Sequence, residues 1–510
     1  MNLLNLAATA IVSCSLAYFV LLMASGIREI RRRSSRLSVQ GRARYGLVPG
    51  AEQDEYPVYF LVPCLNEAEV VGRTVSGLVV NRGTTTIVVD DGSDDETSAL
   101  ARAAGGSQVE VLRRELPNAR QGKGEALNAG IRRVRELVRE RGQDPEQVVV
   151  CVMDADGRLS ENALDHVLPL FEDDAVGGVQ LQVRIRNRHS FLTRFQDFEF
   201  WGVASVTQIG RSATGTVSLG GNAQFTRLSA LDQVGERPWS DSLTEDLDLA
   251  LSLALHGWRL TTTPLASVDQ QAVEKVPLLL RQRTRWYQGH MMAITRLPDI
   301  WRSPKLSHVA ALELSFYCLS PWLLTLPWSV LFHYCLVQLL MNGSELLEFV
   351  DTAGAAAIVV LAWYLMAFAP AVFSGWVYWR RDRRVGIWSG LMMGNYMVLT
   401  NYISFACAWK ALARVLRGET AWAKTARSSD LPGAVVATVL APADEAAVPA
   451  GAVEDPVPSV PAAPVPDLVG AAVGAGAGAP SGAPDAVTPV APVRPFSPVS
   501  VGPVLRHSEA

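Results

Sequence analysis

The feature of this sequence that most constrains its fold is a set of apolar runs on either side of a charged middle. Residues 3–25 contain no charged side chain and are long enough to cross a bilayer core of about 30 Å. Apolar runs return at about 309–340, 353–379 and 385–409, whereas the stretch from about 58 to 285 has a mixed, soluble composition. We therefore expect a folded domain held between membrane segments.

The charges that follow the first apolar run predict its orientation. A cleaved signal peptide is the competing interpretation, but no charged region precedes the run and it is longer than the usual hydrophobic part of such a peptide. Because positive charge is retained on the cytoplasmic side, the arginines after the run predict a cytoplasmic domain in a multi-pass plasma-membrane protein. These arginines are Arg28, Arg31, Arg32, Arg33, Arg36, Arg42 and Arg44.

Short β-branched runs alternate with helical patterns in the middle segment. The predicted strands are Val58–Val62, Thr85–Val89, Val109–Leu112, Val148–Met153 and Val176–Val183. Helical apolar spacing predicts helices over Thr97–Ala104 and Gly124–Arg141. This alternation is typical of an α/β fold with a mostly parallel sheet and helices on both faces, in which ligands bind beyond the carboxyl ends of the strands.

Two acidic motifs stand at predicted strand ends. Asp90 and Asp91 end one strand before a Gly-Ser turn, where a turn-forming and helix-capping role is an equally good interpretation. Asp154 and Asp156 follow another strand, separated by one small residue. Carboxylates so spaced can ligate one hard divalent cation, and such a cation would compensate the charge of a departing diphosphate.

Two further polar motifs follow. Glu245, Asp246 and Asp248 lie at the start of a predicted helix, where capping and the helix dipole account for part of the set. Gln282, Arg285 and Trp286 come just before the next apolar run, and basic residues beside an interfacial Trp are the simpler interpretation there. The formal net charge of −4 gives no reason to expect nucleic-acid binding.

Taken together, these motifs resemble the processive branch of family 2 glycosyltransferases, the synthases of cellulose, chitin, hyaluronan and poly-N-acetylglucosamine. The matching segments occur in the family's order over about 230 residues. They are VPCLNE (62–67), VVDDGSDD (88–95), GKGEALNAG (122–130), MDADG (153–157), GGNAQF (220–225), TED (244–246) and QRTRW (282–286). The resemblance implies a GT-A nucleotide-sugar-binding domain with a mostly parallel sheet, carried by transmembrane α-helices.

The resemblance also implies a role for each matching residue. The nucleotide-sugar residues are Asp90, Asp91, Lys123, Asp154, Gln282 and Arg285. Asp154 and Asp156 would hold Mg²⁺ or Mn²⁺, and Asp246 would be the general base that deprotonates the acceptor hydroxyl. Glu245 and Trp286 would bind the acceptor.

A last possible match lies beyond the apolar runs. Trp422, Thr425 and Arg427 in WAKTAR resemble a loop that closes over the nucleotide in hyaluronan-type synthases, although a basic post-membrane stretch explains them nearly as well. Such a role requires a cytoplasmic C-terminus. Glycines and asparagines interrupt 385–409, and we therefore expect this segment to be re-entrant or hairpin-like.

The expected function is polymerisation of a UDP-sugar, UDP-N-acetylglucosamine by preference, into a β-linked surface or biofilm polysaccharide that is extruded. The expected partners are the donor, the growing polysaccharide and the lipid bilayer, with accessory export or modification proteins possible and no nucleic acid. Two alternatives remain open. One is transfer of a single sugar to a lipid phosphate carrier, and the other is a catalytically silent protein that binds or exports polysaccharide.

The sequence predicts seven regions. They are an anchor (1–26), a basic linker (27–56), the GT-A domain (57–286), an interfacial helix (287–305), a transmembrane bundle (306–410), a basic segment with the possible gating loop (411–430) and a disordered Ala/Pro-rich tail (431–510).

Overall fold

The structure, a computed structural model, describes residues 3–36, 56–81, 83–348, 353–382 and 384–419. The predicted linker, gating loop and tail therefore lie wholly or largely outside the described residues. All six cysteines are free, and Cys64, Cys151, Cys318 and Cys407 are buried.

The described middle of the chain folds around an eight-stranded sheet. Its strands are β1 (Val58–Cys64), β2 (Thr84–Asp90), β3 (Val109–Arg113), β4 (Val149–Val152), β5 (Arg158–Leu159), β6 (Val176–Ile185), β7 (Gln224–Arg227) and β8 (Arg259–Gln270). The strand order is β3-β2-β1-β4-β7-β6-β8-β5. β3, β2, β1 and β4 run parallel, as do β6 and β8, whereas β7 is antiparallel to both of its neighbours. The predicted mostly parallel α/β sheet is confirmed.

Fifteen α-helices are found in the described residues. They are α1 (Leu3–Arg36), α2 (Val71–Val79), α3 (Thr97–Gly105), α4 (Lys123–Glu140), α5 (Ala163–Val167), α6 (Phe191–Asp197), α7 (Ser205–Arg211), α8 (Leu228–Val234), α9 (Glu245–Leu255), α10 (Val276–Met292), α11 (Leu297–Arg302), α12 (His308–Ser320), α13 (Leu326–Glu348), α14 (Ala353–Arg381) and α15 (Ile387–Leu416). Wider π-helical turns join α6 to α7 and α12 to α13.

Both faces of the sheet are covered, because successive side chains of a strand point to opposite sides. Phe60 and Val62 face a core completed by α2, whereas Tyr59 and Leu61 face a core completed by α4. The parallel strands β1, β2 and β4 consequently open their carboxyl ends at one edge of the sheet, where the acidic motifs stand.

The sheet domain is fastened to the long helices by charged and apolar contacts. Arg184 and Arg188 pair with Asp382, at the end of α14, at 2.5 and 2.9 Å. On the other side, Leu247 and Leu251 of α9 pack in one cluster with residues of α12. The helix that carries the TED motif is therefore braced directly against the first helix of the predicted bundle.

Two of the described helical stretches are long and apolar enough to cross a membrane, Leu3–Glu29 and His308–Gln338. They fall in the predicted anchor and in the first predicted crossing of the bundle. The remaining crossings stay predictions. The predicted boundary after residue 286 falls inside α10, and the region predicted as one interfacial helix instead contains the end of α10, a short 3-10 turn and α11.

The expected hairpin-like path for 385–409 is wrong, because α15 is one uninterrupted helix through this segment. Its glycines serve close packing against α14. A Cβ added at Gly390 would lie 2.6 Å from the Gly375 carbonyl oxygen, and one added at Gly394 would collide with the Ala371 carbonyl. Small residues that let two helix backbones approach do not bend either helix.

Candidate active site

A large cleft lies beyond the carboxyl ends of β1, β2 and β4, with a volume of about 600 Å³. Asp91, Lys123, Asp154, Asp246 and Trp286 all line it. Five motifs spread over about 200 residues of sequence are thus brought to one surface, which is the place where an α/β sheet binds its ligands.

Asp91 and Asp90 have different environments. Asp91 lines the cleft and pairs with Arg114, and burial raises the pKa of its carboxyl even though Arg114 opposes that shift. Asp90 is fully buried. It accepts hydrogen bonds from the Ser93 amide at 2.8 Å and from the Ser98 hydroxyl, and it pairs with Arg113. The structure brings Asp91 to the cleft and leaves Asp90 to hold the turn.

Hydrogen bonding also sets the charge of Asp90. Burial alone would raise the pKa of this carboxyl, but the bonds from Ser93 and Ser98 and the charge of Arg113 lower it below its ordinary value. Asp90 is therefore ionised within a satisfied network, which matches the turn-forming interpretation of its motif.

Lys123 is the first residue of α4, and its ammonium group lies among the acidic side chains of the cleft. Its Nζ is 2.6 Å from Asp154 Oδ1, 3.7 Å from Glu245 Oε1 and 3.2 Å from the Gly221 carbonyl oxygen. Burial disfavours the ammonium, but Asp154 and Glu245 outweigh it and raise the pKa of Lys123. A permanent cation therefore lies between the DxD and TED motifs.

The two aspartates of the DxD motif are also placed differently. Asp154 lines the cleft with its side chain about a quarter exposed. Asp156 is only 1 % exposed, and its Oδ2 accepts a hydrogen bond of 2.9 Å from the backbone N–H of Gln271. The structure brings Asp154 to the cleft lining and does not bring Asp156 there.

Asp246 lies on the cleft wall in the first turn of α9. Burial, reinforced by the neighbouring carboxylate of Glu245, raises the pKa of Asp246 to about 7. Gly221 faces it with a φ of +67°, and a Cβ added there would lie 3.1 Å from Asp246 Oδ2 and 3.0 Å from Lys123 Nζ. The glycine thus provides both a left-handed backbone and the space that these two side chains fill. Glu245 itself is buried and faces Lys123.

The QRTRW motif lies on α10, and Gln282, Arg285 and Trp286 all line the cleft. Arg285 donates to the Leu243 carbonyl oxygen at 2.9 Å, which ties α10 to the loop before the TED motif. The guanidinium of Arg283 lies 4.6 Å from the Trp286 ring centre and covers that ring.

Trp286 is held on a second side by the π-helical turn after α6. Its ring meets Phe200 edge to face, with centroids 6.3 Å apart. Arg283 pairs with Glu199 at 2.8 Å. The indole is thus fixed in orientation within the cleft, as an orientation-specific sugar platform would be.

Several cleft residues were not found by sequence reasoning. They are Arg120, Gln208, His290 and Tyr317. Arg114, which pairs with the cleft residue Asp91, was not found either. Arg114 and Arg120 gave no signal beyond ordinary loop charges. His290 follows Trp286 by four residues, and helical spacing on α10 would have placed both on one face. Trp422, Thr425 and Arg427 lie outside the described residues.

The described residues contain no group of three or more His, Cys, Asp or Glu side chains arranged to hold a metal ion. A cation in this cleft would therefore take few protein ligands, and the Asp154 carboxylate of the DxD motif lines the cleft. One carboxylate combined with diphosphate oxygens and water is a ligand set that suits Mg²⁺. The residues present fit such an ion.

Comparison with known proteins agrees with this geometry. Residues 56–289 match the family described as "Glycosyltransferase like family 2". These residues contain the whole sheet. They also contain the TED and QRTRW motifs, which line the cleft. The chain therefore carries a family 2-like glycosyltransferase domain.

Two kinds of curated relative match the chain. A beta-monoglucosyldiacylglycerol synthase of Trichormus variabilis is 31% identical over 256 residues, covering 48% of this chain and 50% of that protein. A poly-beta-1,6-N-acetyl-D-glucosamine synthase of Staphylococcus aureus is 30% identical over 254 residues, covering 48% of this chain and 58% of that protein. The chain thus spans only about half the length of the curated relatives it matches.

Among solved structures, the mannosyltransferase PcManGT from Pyrobaculum calidifontis, in complex with GDP-Man and Mn²⁺, aligns with a TM-score of 0.46 and 19% identity. The alignment covers 80% of this chain and 99% of that one.

Proposed function

We propose that this protein is a membrane-bound inverting glycosyltransferase that transfers sugar from a UDP-sugar to a hydroxyl of a carbohydrate acceptor. The observation that carries the proposal is the shared cleft. Asp91, Asp154, Asp246 and Trp286 all line it, and Asp154 and Asp246 both lie near Lys123. A donor bound beside Asp91 and Asp154 and an acceptor bound beside Trp286 would share this cleft with Asp246.

Asp246 is the proposed general base. With a pKa near 7 it is substantially ionised at neutral pH and still basic enough to take a proton. It removes the proton of the acceptor hydroxyl as that oxygen bonds to the anomeric carbon from the face opposite UDP. The bond from the anomeric carbon to the diphosphate oxygen breaks with its electrons, so UDP leaves and the configuration inverts.

The charge that develops on the leaving diphosphate requires cationic partners. Lys123 and Arg285 both line the cleft and remain charged through the reaction. Mg²⁺ or Mn²⁺ held by Asp154 would further neutralise the diphosphate when bound. Asp91 would accept hydrogen bonds from the nucleoside.

The preferred product is a polymer, with UDP-N-acetylglucosamine as donor and a β-linked surface polysaccharide as product. The cleft supports this because its lining also includes Tyr317, Ser320 and Thr325. These residues belong to the candidate membrane span His308–Gln338. A growing chain that left the acceptor end would enter the helical region directly, with the catalytic domain on the cytoplasmic side.

A second candidate is transfer of one sugar to a membrane lipid. The similarity to beta-monoglucosyldiacylglycerol synthases favours it, and a lipid could reach the same acceptor end from the bilayer. Only the product distinguishes the two candidates, since both need the same donor and the same base.

The test is product analysis with the purified full chain in detergent. It would be incubated with UDP-N-acetylglucosamine or UDP-glucose, Mg²⁺ or Mn²⁺, and either short N-acetylglucosamine oligomers or diacylglycerol. A ladder of lengthened oligosaccharides in the mass spectrum would support polymer synthesis, and a single hexose on diacylglycerol would support the second candidate. Absence of UDP release with every donor would refute both.

A further inference from the structure

His290 is a titratable residue of the cleft to which the proposed reaction gives no task. It lies on α10, four residues and one helical turn after Trp286, and lines the same cleft. Residues so spaced share a helix face. His290 therefore belongs to the acceptor end of the cleft, outside both candidate membrane spans.

Its imidazole is fixed from two directions. Nε2 lies 2.8 Å from the backbone carbonyl oxygen of Tyr317. The His290 and Tyr317 rings also overlap, with centroids 4.4 Å apart and planes tilted by 30°. The Arg211 guanidinium lies 3.9 Å from the centre of the Tyr317 ring and pairs with Glu313 at 2.8 Å, which holds that ring in place.

The hydrogen bond to Tyr317 determines the tautomer. A carbonyl oxygen can only accept, so Nε2 must carry a proton and donate it. Burial, with a smaller effect from Arg211, lowers the pKa of His290 to about 4, and the ring is therefore neutral at physiological pH. A neutral imidazole with its proton on Nε2 has a lone pair on Nδ1, which makes Nδ1 a hydrogen-bond acceptor.

We propose that His290 is a specificity-determining residue whose Nδ1 accepts a hydrogen bond from one non-reacting hydroxyl of the carbohydrate acceptor. This inference rests on the proposed function and deepens it. Trp286 would contact the face of a sugar and would not distinguish its hydroxyls. A fixed atom that accepts a hydrogen bond, one helical turn away, would select the sugar that presents a hydroxyl to it. Asp246 takes the reacting proton, and His290 sets which acceptor is held beside it.

Two conservative substitutions separate this role from a purely structural one. In His290→Asn, the side-chain oxygen can occupy the place of Nδ1, but the donor to the Tyr317 carbonyl is lost. In His290→Gln, the side-chain amide can reach that carbonyl, but no acceptor remains at the Nδ1 position. His256→Asn is the matched control, because His256 is exposed at the end of α9 and does not line the cleft.

The measurement is the dissociation constant of methyl β-N-acetylglucosaminide and of its three monodeoxy analogues. Binding would be followed by tryptophan fluorescence on the full chain with UDP present. We expect the wild type to bind one deoxy analogue about 10-fold more weakly than the parent, as for loss of one neutral hydrogen bond. His290→Asn and His256→Asn should keep this discrimination, and His290→Gln should lose it.

Discrimination that survives in both His290 variants, or disappears in both, would overturn the assignment of the contact to Nδ1. Discrimination that survives in His290→Gln and disappears in His290→Asn would assign His290 to holding Tyr317 and would overturn the inference. Equal binding of all analogues by the wild type, or no binding at all, would also overturn it. Discriminating binding without any UDP-sugar turnover would leave this inference standing and would refute the proposed function instead.

Discussion

Gly221→Ala is the substitution whose effect can be worked out most directly from the structure. Gly221 has a φ of +67°, and an added Cβ would lie 3.0 Å from Lys123 Nζ and 3.1 Å from Asp246 Oδ2. The change therefore adds backbone strain and displaces the two side chains on which the proposed chemistry depends.

The two effects have different magnitudes. A residue with a Cβ in the left-handed region costs roughly 1–2 kcal/mol. The added methyl must also move Lys123 or Asp246 by a few tenths of an ångström to restore ordinary contact. Since a misplacement of about 1 Å can cost on the order of 10²-fold in rate, we expect kcat to fall by about 10-fold.

The assay measures UDP release and thermal unfolding on the same preparations, with Gly83→Ala as the control. Gly83 has nearly the same φ, +69°, but a Cβ there would meet no atom within 4 Å. Both variants should lose similar stability, and only Gly221→Ala should lose rate. Equal rates in the two variants would refute the placement of Asp246 and Lys123 around Gly221.

Three further predictions follow from the same cleft. Asp154→Asn should lower the transfer rate on the order of 10²-fold or more, as a chelator should, in a domain that still folds; activity that survives chelation would contradict a metal role. Trp286→Ala should shorten or abolish the polymer and leave slow hydrolysis of the donor to UDP and free sugar, whereas wild-type product length would leave this Trp a structural role. Because the raised pKa of Asp246 favours its protonated form below about pH 7, kcat/KM should fall tenfold per pH unit in acid; an acid limb that begins near pH 4 would argue against this base.

Strand positions were predictable from the sequence to within one or two residues where the strands are buried and apolar. β1, β2 and β4 are examples, because their β-branched runs end in turn residues. β8 was not predicted, since Arg259–Gln270 is rich in Thr and contains Pro264. Its place depends on pairing with β6, a contact that no local pattern encodes.

The composition of the site was also predictable, but the direction of its side chains was not. Asp90 and Asp91 are adjacent in an extended chain, so they point to opposite sides. Which side faces the cleft depends on the helices that cover the sheet. The surroundings of Asp154 and Asp156 likewise depend on distant segments, the residue after β8 and the loop before β7. The glycines of α15 led to a wrong prediction of a bent path, because glycine is typical both of helix breaks and of places where two helices pack closely.

The most direct test of the account is Asp246→Asn, with nucleotide binding and single-turnover transfer measured on the same protein. An amide of the same size keeps the cleft intact but cannot accept the hydroxyl proton. The account predicts unchanged UDP-sugar binding and a transfer rate lowered by a factor on the order of 10² to 10⁴. Loss of UDP-sugar binding with an unchanged rate at saturation would instead place Asp246 in the donor pocket and contradict its role as the base.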